Sequence, residues 1–108
     1  MSGWYGVDLD GTLAYYKPGM ASALLIGDPI PPMLARVKQW LSEGKTVKLF
    51  TARACDPDQI RPIREWLKKH GLEQMEITNI KDYSCIEIWD DRAVQVVMNT
   101  GLRADGLL

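Results

Sequence analysis

Apolar positions along the chain follow two periods. Trp4-Tyr5-Gly6-Val7-Asp8-Leu9 is a short run of β-forming residues that breaks off at carboxylates and Gly11, as a buried strand does when its C-terminal end opens on a cleft. Thr46-Val47-Lys48-Leu49-Phe50 predicts a second strand, Met75 to Asn79 a third and Ile86 to Trp89 a fourth. Elsewhere the period changes. Met33, Leu34, Val37, Trp40 and Leu41 form one helical stripe, with Pro31-Pro32 at its start and Gly44 just past its end. Ile63, Trp66 and Leu67 mark a second helix that runs to His70, with Gly71 as the residue beyond its cap. Its start falls between Asp56 and Pro62, because Pro62 cannot supply an interior amide. Val94-Gln95-Val96-Val97 predicts a fifth strand, and the Gly/Pro-punctuated residues 11–29, with a turn at Pro18-Gly19, predict a small flap or hairpin.

The order β, α, β, α, β, β implies an α/β domain with a mostly parallel sheet and flanking helices. Composition narrows this further. With 108 residues, 46% of them apolar and 25% charged, residues 1–108 suit one domain that needs no disulfide or metal to support its core. Thirteen Lys plus Arg against 14 Asp plus Glu give a net charge of -1, without the basic face that nucleic acid phosphates or anionic lipid require. The expected partner is therefore small, or met locally. No stretch approaches the ~20 apolar residues of a membrane span, and no leader pattern is visible, so the expected location is cytoplasmic. Cys55, Cys85 and the single histidine, His70, cannot assemble a zinc set, and the two cysteines are expected as small buried or half-buried hydrophobes. Trp4, Trp40, Trp66 and Trp89 are expected in the core, and His70 favourably placed at a helix C-terminus.

Polar side chains gather at three strand ends: Asp8 and Asp10 after the first, Thr51 and Arg53 after the second, Asp90 and Asp91 after the fourth. In open α/β sheets, ligands bind at that edge. Three carboxylates about 4 Å apart repel by ~4 kcal/mol per pair at an effective dielectric of 20, a cost that a divalent cation offsets. All-oxygen ligation favours Mg²⁺.

Asp8-Leu9-Asp10-Gly11-Thr12-Leu13 resembles the D-x-D-G-T-[LV] signature of the haloacid dehalogenase (HAD) superfamily of phosphotransferases. The strand ending in Thr51 is similar to that family's second motif, and the strand ending in Asp90-Asp91 to its fourth. This resemblance implies a Rossmann-like core, an aspartyl-phosphate intermediate and dependence on Mg²⁺. By position it implies Asp8 as nucleophile, Asp10 as general acid and base, and Thr51 on the transferring phosphoryl oxygens. Asp8 and Asp10, with Asp90, Asp91 or both, would hold the metal. Lys81 is the candidate for the third-motif lysine, with Lys17 or Arg53 as alternatives. Thr51-Ala52-Arg53 and Asp90-Asp91-Arg92 are also similar to the phosphatase domains of polynucleotide kinases, which implies that Arg53 contacts substrate phosphate, and makes a nucleic acid end a second candidate substrate that the net charge does not support. Gly11, Thr12, Ala52 and Lys17 complete the implied substrate-binding set, and Arg92 would brace Asp90 and Asp91.

The gaps where such enzymes carry cap domains are short here, so the resemblance implies a capless, open site. Such a site suits a large substrate or cover from another subunit, and Tyr15, Tyr16 and Lys17 on the flap would set specificity. Only Ile80 to Cys85 separate the third and fourth strands, fewer than the dozen or so residues of an ordinary parallel crossover, so the helix expected there is shortened or lost. A competing expectation is a receiver-like module that takes up phosphate or Mg²⁺ at Asp8 and releases it slowly.

Overall fold

The computed structural model describes residues 3–107. Its elements are β1 (Trp4–Val7), α1 (Pro31–Ser42), β2 (Thr46–Phe50), a 3₁₀ turn (Ala52–Cys55), α2 (Pro57–Lys69), β3 (Glu76–Thr78) and β4 (Cys85–Trp89). The strands form one sheet in the order β3-β2-β1-β4, with every pairing parallel.

Both helices start where their sequences provide a start. Pro31 and Pro32 occupy the first positions of α1, where no helical partner awaits an amide. Asp56 caps α2 by accepting from the Asp58 amide at 2.9 Å, which places the helix start upstream of Pro62. Pro62 thus lies inside the helix and removes one bond from its ladder. Lys68 and Lys69 lie in the last turn, where cations complement the helix dipole, and Gly71 at φ 76° reverses the chain so that the Leu72 amide reaches the Leu67 carbonyl at 2.7 Å. His70 packs its ring 4.6 Å from that of Trp66, and burial, followed by Lys69 and Lys38, holds its pKa below the ordinary value, so the favourable cation expected there is disfavoured.

The crossovers β1-α1-β2 and β2-α2-β3 advance in the same direction across the sheet, and right-handed connections then put both helices on one face. That face carries Tyr5, Val7, Val47, Leu49, Ile77 and Trp89, as alternation along parallel strands requires. Val7, Val47 and Leu49 are buried against Met33 and Val37 of α1 and Ile63 and Leu67 of α2. Each such side chain contributes roughly 1.5–3 kcal/mol when fully buried. Tyr5 stacks on Trp40 at 4.9 Å, and Trp40 meets Trp89 edge-on at 5.3 Å.

The opposite face carries Trp4, Gly6, Lys48 and Phe50, and among the described residues no helix covers it. Instead the connection Asn79–Ser84 crosses from β3 at one edge to β4 at the other. Three strand spacings amount to ~14 Å, within reach of a nearly extended chain of this length. It is tied to β1 where Trp4 Nε1 donates to Asp82 Oδ1 at 2.9 Å and the Trp4 amide donates to the Ser84 carbonyl at 3.0 Å. The loss of a third helix is thus real, and the flanking layer is one-sided.

Other expectations change in detail. The fifth strand does not form: Val94 and Val97 are outside any ladder, and Val96 makes only an isolated bridge to Arg103, so the segment pairs with its own tail rather than with the sheet and stays exposed. Residues 11–29 form turns rather than a hairpin, pinned by bridges Asp10–Ala14 and Ala14–Pro29. Trp4 and Trp66 are buried and Trp40 and Trp89 half-buried, in keeping with packing roles. Cys55 is exposed rather than buried, since the 3₁₀ turn lifts it off the core, and Cys85 is half-buried. Among the described residues no helix is long and apolar enough to cross a membrane.

Candidate functional site

β1 and β4 are neighbours and end level, Val7 opposite Trp89, so their next residues leave the sheet together. The Asp8 amide donates to the Trp89 carbonyl at 2.9 Å and extends the pairing by one step. One carboxylate oxygen each from Asp8, Asp90 and Asp91 then lies within 4.8 Å of the others. Gly11 makes this convergence sterically feasible. Its φ of 85° turns the chain back on itself, and a Cβ there would meet Asp91 Oδ2 at 2.6 Å. Thr12 Oγ1 donates to Asp91 Oδ1 at 3.2 Å and accepts from the Asp91 amide at 3.0 Å, while Asp90 Oδ1 accepts from the Arg92 amide at 2.7 Å.

The electrostatic consequence falls on Asp8. Burial, then the charge of Asp90, then a hydrogen bond with Asp91 push its carboxyl up to about 7. The cluster carries more negative charge than its surroundings neutralise. Its donors are all hard oxygens, a set that fits a small divalent cation such as Mg²⁺ with its remaining positions filled by water or ligand oxygens.

β2 delivers the second group. The Thr51 amide donates to the Thr78 carbonyl at 2.9 Å, carrying the β2–β3 pairing one residue beyond the strands, and buried Thr51 Oγ1 accepts from the Arg53 amide at 3.2 Å. Thr51 and Ala52 line a cavity of about 740 Å³ together with Asp8, Asp10, Asp90 and Asp91. Tyr16 from the flap and Arg92 from beyond β4 reach the same cavity.

Arg53 and Asp10 take places that their sequence positions did not suggest. Arg53 is only 5% exposed, and its Nε and Nη2 each donate to one Asp10 carboxylate oxygen at 2.7 Å. Nη2 also donates to the Leu25 carbonyl at 2.7 Å, and Nη1 to Gln59 Oε1 at 3.2 Å. A buried guanidinium requires a counter-ion, and a carboxylate matches its fork. The Asp10 side chain therefore faces Arg53 and is not part of the three-carboxylate cluster, and Arg53 is engaged by protein acceptors.

The remaining candidates divide in the same way. Lys81 does not line this cavity. It lines a separate one of about 840 Å³, beside Asp82, Tyr83 and Glu87, which shares only Asp90, because its connection runs along the bare sheet face rather than over the strand ends. Lys17 is exposed on the flap, away from the lining. Gly11 and Thr12 act on Asp91 rather than on the cavity wall. Arg92 braces Asp90 through its backbone amide, not its guanidinium. Gln59, Cys55, Asp56 and Asn79 also line the cavity, a place the sequence reading did not give them. Only Gln59 carried a signal: with Ile63 and Trp66 it falls on the core-facing stripe of α2, where a polar residue needs a reason.

The fold and this edge together define an α/β protein with an all-parallel sheet and a carboxylate cluster at its carboxyl ends. No family model, no curated protein and no solved structure gave a significant match to the chain.

Proposed function

We propose that this protein is an Mg²⁺-dependent phosphomonoester hydrolase of the HAD type, acting on a phosphorylated small molecule or nucleotide through Asp8. The observation that carries the reading is the convergence of Asp8, Asp90 and Asp91 on one cavity with Thr51, at the carboxyl edge of a parallel sheet. The D-x-D-G-T-L sequence of Asp8 to Leu13 agrees with it.

In this reading an Asp8 oxygen attacks phosphorus and displaces the alkoxide, leaving an acyl phosphate on Asp8. Thr51 Oγ1 already accepts from the Arg53 amide, so its own proton is free to donate to a phosphoryl oxygen. Asp10 leaves Arg53, takes up a proton from solvent and gives it to the departing alkoxide, then takes a proton from the water that cleaves the acyl phosphate to free carboxylate and inorganic phosphate. Mg²⁺, held by Asp8, Asp90 and Asp91, would supply positive charge to the phosphoryl oxygens and keep Asp8 ionised. The test is phosphate release from an aryl phosphate, with Mg²⁺ and with chelator, extended to nucleotides, sugar phosphates and end-phosphorylated oligonucleotides. Asp8→Asn protein should be inactive; turnover equal to wild type would sink the reading.

One observation favours a second reading. Both Asp10 oxygens accept from Arg53, so the acid and base is withheld in this conformation. A receiver-like module that is phosphorylated on Asp8 and releases phosphate slowly would look like this. A phosphorylated Asp8 that persists for hours favours the module, and loss within seconds favours the hydrolase.

A further inference from the structure

Three donors from the 3₁₀ turn and α2 reach across to backbone carbonyls of the flap. Arg53 Nη2 donates to Leu25, Gln59 Nε2 to Ala21, and Trp66 Nε1 to Gly27 at 2.9 Å. Arg53 and Gln59 are both nearly fully buried, at 5% and 4% exposure, and are bonded to each other. Within the flap, the Tyr15 amide donates to the Asp28 carbonyl and the Leu25 amide to the Met20 carbonyl, each at 2.9 Å. Leu24, immediately before the Leu25 carbonyl that Arg53 uses, has φ 58°. A leucine in the left-handed region is strained and persists only where surrounding contacts fix it. Here the left-handed turn precedes the residue whose carbonyl meets a buried charge.

The same Nη2 that serves Leu25 also serves Asp10. Four of the five guanidinium donors are used, two on Asp10, one on Leu25 and one on Gln59. Seating of the flap and orientation of Asp10 therefore share one side chain that has little room to serve either alone. We propose that Arg53, braced by Gln59, is a positioning residue that couples the flap to Asp10: while residues 15–28 are docked the Asp10 carboxylate is held against Arg53, and release of either partner loosens the other. The catalytic consequence rests on the hydrolase reading above, in which Asp10 must turn towards the leaving group. The coupling itself does not depend on it.

Hydrogen exchange on the whole chain separates the two. The probes are the Leu25 and Tyr15 amides in wild type, Gln59→Leu, Arg53→Lys and Asp10→Ala. Circular dichroism and a cooperative melt establish which variants fold, and Gln59→Leu, which keeps a similar volume, supports the test should Arg53→Lys not fold. Coupling predicts that both flap amides exchange about tenfold faster in Asp10→Ala, although among the described residues the Asp10 carboxylate bonds only to Arg53, and similarly in Arg53→Lys and Gln59→Leu. Flap exchange unchanged in Asp10→Ala overturns the proposal, whether or not the protein turns over any phosphate. If wild type is a hydrolase, Gln59→Leu should also change kcat several-fold with KM little altered. Faster flap exchange with kcat unchanged would reduce Gln59 to a structural brace and overturn the catalytic half.

Discussion

Replacing Asp8 with asparagine removes a carboxyl that burial, Asp90 and Asp91 hold up at about 7 against 3.8 in the free side chain. A proton retained on folding over that interval corresponds at face value to about 4 kcal/mol of stability lost as Asp8 ionises. Asp8 is only partly buried, and solvent screening reduces this to about 1–2 kcal/mol. The sign follows from the raised value. Below about pH 4 the folded and unfolded chains both hold the proton, between there and pH 7 the folded chain alone holds it, and stability falls as pH rises through that window. At about pH 8 in chelator, Asp8→Asn should therefore be the more stable protein, by about 1 kcal/mol or ~4–8 °C in Tm, and the gain should shrink towards pH 4. Saturating Mg²⁺ should reverse the order, because wild type gains about 3 kcal/mol at a hundred times Kd while the variant, lacking one ligand, gains less. Thermal melts followed by tryptophan fluorescence at the two pH values, with Mg²⁺ and with chelator, measure all of this. Wild type as stable as Asp8→Asn at pH 8 in chelator would refute the electrostatic reasoning, and equal Mg²⁺ stabilisation of both proteins would refute the assignment of Asp8 as a ligand.

Other substitutions test the architecture around the cluster. Gly11→Ala forces a Cβ to within 2.6 Å of Asp91 Oδ2 at a φ of 85°, and should cost about 1–3 kcal/mol in urea unfolding and weaken Mg²⁺ binding at least tenfold; normal metal affinity would mean that Asp91 is not a ligand. Leu67→Ala empties a fully buried site between α2 and the sheet and should cost about 2–5 kcal/mol, read from the urea midpoint. Pro62→Ala restores a ladder bond inside α2 and should raise stability by about 1 kcal/mol or more, read as a higher urea midpoint at an unchanged m-value; a lower midpoint would mean that the helix is built around the proline. Trp66→Phe deletes the donor to Gly27 and should cost about 1 kcal/mol and speed flap exchange, whereas unaltered stability would show the bond to be replaced by water.

The alternation of apolar residues and the helix stop and start signals were enough to place all four strands and both helices, to within two residues at each strand end, because these elements are specified by local period and by Pro, Asp and Gly at their ends. Asp8, Thr51, Asp90 and Asp91 were legible for the same reason: a polar residue directly after a buried strand has one place to go, the carboxyl edge of the sheet. The fifth strand was misread because an apolar, β-forming run says that a segment fits a sheet and not that it joins one: here Val96 bridges Arg103 instead. That both helices lie on one face, leaving Asn79–Ser84 to cross the other, followed only from strand order, a long-range pairing that no local pattern encodes. The division of labour among Asp10, Arg53 and Lys81 was decided at the same level. Asp10 and Arg53 are 43 positions apart, and only the packing of β1 beside β2 buries a guanidinium next to a carboxylate and so brings the two together as a pair. Sequence determined which residues reach the edge of the sheet; tertiary structure decided which of them converge as the carboxylate cluster and which, lining the same cavity, pair with each other.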